Sequence, residues 1–122
     1  MKASTPFRSV VVLLFLVLSF SAHATKLDFA EAAVMVKDYY NNEGEWAGIY
    51  TMSNIERMAL NESKDDYGYV AHVCYHYRPI PNNRIGRNDS GVDQRTFSFG
   101  MVHGGYRVLS MGGHMSTNVG CR

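Results

Sequence analysis

From Tyr67 to Pro79 the chain sorts its side chains at a period of two. Tyr67, Tyr69, Ala71, Val73, Tyr75 and Tyr77 fall on one face, and Val70, His72, Cys74, His76 and Arg78 on the other. A helix would scatter both sets around its axis, whereas a strand separates them cleanly. The aromatic and β-branched content favours the strand further, and Pro79 withdraws a backbone donor where it should stop. A strand of this length belongs near the centre of a sheet, so the remaining segments must supply its neighbours.

Leu27 to Asn42 reads as an amphipathic helix. Asp28 and Glu31 have capping-box spacing, and Phe29, Ala32, Ala33, Val36 and Tyr40 recur at helical intervals as one apolar stripe. Asn41, Asn42 and Gly44 terminate it. Trp46, the one tryptophan, is expected to close the core beneath the helix. Residues 52–62 admit two readings. Ser53-Asn-Ile-Glu56 resembles a second capping box, and Ile55, Met58 and Ala59 keep helical spacing. A strand there would instead give the long strand a hairpin partner across Ser63 to Asp66, and the strand is preferred. Val92 to Val102 alternates again, His103-Gly-Gly-Tyr106 signals a tight turn, and Tyr106 to Met111 returns.

The fold class is therefore α+β: an N-terminal helix packed on a three- to four-stranded antiparallel meander, a roll held by one disulfide. This order of elements resembles that of the cystatin-like and NTF2-like small rolls. The resemblance implies a helix laid across a twisted sheet and supplies no site residues.

Residues 1–24 read as a cleaved signal peptide. Lys2 and Arg8 precede an apolar run from Val10 to Phe20, broken only by Ser19, and Ala22-His-Ala24 offers a small-residue cleavage site. The run is too short for an ordinary membrane span, so an exported protein without membrane insertion is expected, in the periplasm or outside the cell. Residues 25–122 then form a single domain of 98 residues (122 less 24). Ten basic against eleven acidic side chains remain, which argues against nucleic acid as a partner. The charge is uneven: residues 25–66 hold nine acids and four bases, residues 67–122 two acids and six arginines. Acidic and basic faces would follow if the halves stay apart, and a mixed surface if they interleave. Cys74 and Cys121, the only cysteines, are expected to pair in an exported chain and to pin the C-terminus to the sheet.

Several patterns invite chemistry. His72-x-Cys74-x-His76 places three metal-ligand types on one strand face, but alternate side chains stand about 6.5–7 Å apart. A disulfide would also occupy the thiol, so no metal or other cofactor is expected. His103-Gly-Gly resembles an esterase oxyanion loop but lacks a nucleophile elbow, and reads as a turn. His72 or His76, Glu56 and Arg95 would form an acid–base group if their strands were neighbours.

Pro79 to Gly91 is rich in Pro, Gly and Asn and carries Arg84 and Arg87, with Arg78 and Arg95 at its edges. The plain reading is a mobile loop kept soluble by its arginines; the functional one is a recognition loop. Four tyrosine hydroxyls on one strand face are too many to bury dry, so the end pair, Tyr67 and Tyr77, should reach an edge or pocket. The expectation is a small exported binding, inhibitor-type or envelope accessory protein. It would contact another protein through Arg78, Arg84, Arg87, Arg95 and Tyr77. The alternative is a small enzyme or ligand-binding roll with a His/carboxylate pair between helix and sheet.

Overall fold

A computed structural model describes residues 26–63, 68–113 and 121. One helix, α1 (Phe29–Asn42), packs on four antiparallel strands: β1 (Tyr50–Glu62), β2 (Tyr69–Pro79), β3 (Gly91–Val102) and β4 (Gly105–Met111). The strands lie side by side in chain order, so β2 and β3 are central and β1 and β4 are edges. The expected α+β meander is what forms, with four strands among the described residues, the upper end of the expected three to four. The leader, Tyr67 and most of the turn after Ser63 lie outside the described residues.

Residues 50–62 are a strand, and the source of their helical appearance is visible. Pairing with β2 jumps between Met52 and Asn54, and again between Ile55 and Arg57, leaving Ser53 and Glu56 as extra residues. Each bulge moves the alternation by one position. Met52, Ile55, Met58 and Leu60 all pair with helix-facing residues of β2, although the first three are spaced by three. Two bulges in one strand thus imitate a helical period. They also twist an edge that would otherwise be a flat template for another chain.

The face selected by the β2 alternation is the buried one. Ala71, Val73 and Tyr75 have no exposed surface, and Tyr69 very little. They meet Ala32, Val36 and Tyr40 of α1, Met52 of β1, and Phe97 and Phe99 of β3. Phe29 departs from the expected stripe and is 53% exposed. Leu27 is buried in its place, one residue before the Asp28 cap, as is Ala32 one turn on; these are the staple positions of a helix start. Asp28 accepts the Glu31 N–H at 3.2 Å, which secures that start. At the other end, the Asn41 side-chain oxygen accepts the Met52 N–H at 2.8 Å and ties α1 to the sheet.

The β3–β4 turn is one residue earlier than Gly104-Gly105 suggests. Positive φ falls on His103 (51°) and Gly104 (83°), because Val102 pairs with Gly105. A two-residue loop of this hand matches strand twist, and histidine tolerates the left-handed region better than most side chains. Cys74 and Cys121 form the disulfide, with Cα atoms 5.6 Å apart. It lies on the sheet face opposite α1 and brings the chain end beside Gln94, the partner of Cys74 on β3. No helix among the described residues is long and apolar enough to cross a membrane.

Candidate functional site

The segment between Pro79 and Gly91 is folded around Asn83 rather than being a loose solvated loop. The Asn83 amide donates to the carbonyls of Ile80 (2.8 Å) and Arg87 (2.7 Å), while its oxygen accepts the Arg87 N–H (2.9 Å). Ile80 N–H in turn donates to Ile49 O at 2.8 Å, fastening the loop to the stretch that follows α1. Asn82 and Gly86 take the positive φ angles that let so short a path reverse.

This scaffold aims two arginines at the 43–49 stretch. The Arg87 guanidinium lies 5.8 Å from the Trp46 ring centroid, and Arg84 ends beside Gly48. Beneath Arg87 is a cavity of about 180 Å³ lined by Tyr40, Trp46, Tyr50, Tyr77, Arg87, Asp93 and Arg95. Its walls are rings in edge-to-face contact: Trp46 on Tyr50 at 5.3 Å, and Tyr50 on Tyr77 at 5.0 Å between centroids. Gly91, opposite Tyr77 on β3, leaves room for that ring; a Cβ there would lie 3.1 Å from the Tyr77 hydroxyl oxygen. At the floor, Arg95 is 7% exposed and its Nε stands 3.6 Å from Asp93 Oδ2.

Electrostatics tie the rim together. The Tyr50 hydroxyl donates to Asp89 Oδ1 at 2.6 Å, which holds the Asp89 carboxyl below the usual carboxylate range and raises the Tyr50 phenol. Burial raises Tyr77, with the Asp89 charge adding to it. Deeper in the core, burial pushes Tyr40 up to about 12 and drives Tyr75 upward as well. A phenol whose pKa is raised by folding stabilises fully below its unfolded value and loses that contribution as pH climbs toward the folded value. Unfolding midpoints in urea should therefore hold steady below pH 10, the ordinary tyrosine value, and fall between pH 10 and about 12. The slope should approach about 1.4 kcal/mol per pH unit for each buried tyrosine. Tyrosinate absorbance followed in the same samples checks this. Ionisation of every tyrosine near pH 10 with no change in the midpoint would contradict it.

The five proposed contact residues divide. Tyr77, Arg87 and Arg95 line the same cavity, and Arg84 reaches the adjacent stretch. Arg78 is not part of that cavity: the β2 alternation turns it to the opposite face, where it lines a shallow depression with Ser53, Asn54, His76 and, at the strand end, Tyr77. The acid–base group is split in the same way. His76 Nε2 and Glu56 Oε2 are 2.9 Å apart, brought together by the second β1 bulge, but both are well exposed on the open face. Arg95 is on the helix face, across from Val73, so the sheet separates it from the His76 and Glu56 pair. Cys74 is committed to the disulfide, which withdraws the thiolate from the His72-x-Cys74-x-His76 pattern.

Sequence reading missed Tyr40, Trp46, Tyr50, Asp89 and Asp93 as parts of one site. Trp46 does pack on the core margin, yet it walls a cavity rather than sealing the core. One signal was present: Asp89 and Asp93 are the only acids in residues 67–122, and both fall among the arginines. No family model, curated protein or solved structure matches the chain.

Proposed function

We propose that the chain is a small exported binding protein, periplasmic or extracellular, that engages another protein at the loop end of its sheet. The observation that carries this reading is Arg87 held over Trp46 above a ring-walled cavity with Arg95 at its floor. Tryptophan, tyrosine and arginine are the residues that dominate binding energy at protein interfaces, and rigid ring packing lowers the entropy lost on contact. Export rests on the leader-like residues 1–24; the disulfide is compatible with an oxidising compartment. An inhibitor-type or envelope accessory role fits a domain of this size.

The test is capture from envelope extract on immobilised mature protein. Reversing Arg84 and Arg87 to Glu together should abolish capture, while the melting temperature moves by no more than about 5 °C because both side chains are exposed. Undiminished capture by the folded double variant would remove the loop from the proposal. A free-thiol assay on the exported protein is the companion measurement, and two reactive thiols would contradict the export reading.

A further inference from the structure

Arg95 is out of place by the ordinary rules of a sheet core. It sits on the helix face of β3 between Asp93 and Phe97, more than nine-tenths buried. Its Nε has no hydrogen-bond partner among the described residues. Asp93, the nearest acid, is 3.6 Å away, beyond hydrogen-bonding distance. That carboxylate is anchored through its other oxygen, Oδ1, which accepts the Gln94 N–H at 2.8 Å. A buried cationic donor without an acceptor is costly, and it faces a cavity. An acceptor arriving from outside would complete it.

Three properties of the cavity define that acceptor. Its lining carries two guanidinium groups beside the Asp93 carboxylate, and the Asp89 carboxylate at the rim is taken by the Tyr50 hydroxyl, so the donor left to satisfy is the Arg95 Nε at the floor, which an anionic acceptor suits. A volume of about 180 Å³ is below the roughly 300–1,000 Å³ of sites for whole drug-sized ligands, which suits one residue of a longer molecule. The Tyr40, Trp46, Tyr50 and Tyr77 rings provide apolar walls next to the charge. A polypeptide C-terminus presents a carboxylate and an apolar side chain on the same carbon. An aspartate or glutamate side chain presents the charge without that second group.

We propose that this cavity captures the C-terminal residue of a partner polypeptide, its carboxylate between Arg95 and Arg87 and its apolar side chain against Trp46, Tyr50 and Tyr77. The inference rests on the protein-binding reading above and names what that partner must offer. Capture of chain ends by fixed donors is an established recognition mode, and guanidinium forks suit carboxylates.

Trp46 is the one tryptophan, so its emission reports directly on the cavity. The mature protein should be titrated with N-acetyl-phenylalanine, its α-amide, and N-acetyl-glutamate α-amide. The free acid should change the emission saturably, and both amides should bind at least about tenfold more weakly. The Arg95→Lys variant should retain part of the preference for the acid, and a folded Arg95→Met variant should lose it. Equal binding of acid and amide, or no binding of the acid, would overturn the proposal without any variant having to fold. Equally tight glutamate α-amide would overturn the chain-end assignment. Excess N-acetyl-phenylalanine should also displace the captured partner. Capture that needs Arg84 and Arg87 but ignores the acid would sink this inference and leave the binding reading standing. Saturable acid binding with no partner captured would do the reverse.

Discussion

Replacing Cys74 and Cys121 together with alanine will lower the unfolding free energy by about 4 kcal/mol, the entropy a 47-position cross-link removes from the unfolded chain. Domains of this size are stable by only about 5–15 kcal/mol, so the change takes away about a quarter or more of the total. The denaturant slope should rise as well, because an uncrosslinked chain exposes more surface when it unfolds. Position adds a local consequence. Cys74 pairs with Gln94, and the residues on either side of Gln94 are Asp93 and Arg95 of the cavity. The bridge therefore clamps the reverse side of the strand that carries the floor of the site. Urea unfolding of the oxidised, reduced and doubly substituted proteins gives the answer. Coincident midpoints for all three would mean the bridge contributes nothing to stability.

The fold was legible wherever periodicity had one physical cause. In β2 the helix-facing residues are every second residue, and the strand, its buried face and its place in the sheet all follow from that. In β1 two causes are superposed. The strand alternates, but the bulges at Ser53 and Glu56 insert steps that bring apolar residues back at spacings of three. A period-based reading cannot separate a bulged strand from a short helix; only the need for a partner beside β2 decided it. Phe29 was misplaced for a different reason. Helical spacing puts it on the apolar stripe, while Leu27, just outside the helix, takes the buried position at that end.

The site was less legible than the fold because it is assembled across the chain rather than along it. Its lining comes from α1, the stretch before β1, the first residue of β1, β2, the loop after β2, and β3. Only the arginine-rich loop and Tyr77 stood out locally. Arg78 illustrates the limit: one residue from Tyr77, it points to the other face of the sheet. Grouping arginines by closeness in sequence therefore collected residues that alternation separates. Conversely, Trp46 and Arg87 lie far apart in the chain, and it is the Asn83 hydrogen bonds that bring them together.

Removing Asp93 will cost more than removing the arginine it accompanies. Asp93→Ala leaves the Arg95 guanidinium buried without its nearest counter-charge, and a loss of about 2 kcal/mol is expected. That is less than for a fully buried pair, because Asp93 remains partly exposed. Arg95→Met exchanges the cation for an apolar chain of similar length beside Phe97 and the core tyrosines, and should be close to neutral or stabilising. Chemical denaturation of the two single variants and the double variant closes the cycle, and Arg95→Met should rescue most of the Asp93→Ala loss. Equal losses for both single variants would show that Arg95 stabilises the core in its own right. The predicted asymmetry says the opposite: the fold tolerates Arg95 rather than requiring it. A buried cation that the fold does not need, opening into a cavity, fits the carboxylate-binding role proposed above for Arg95.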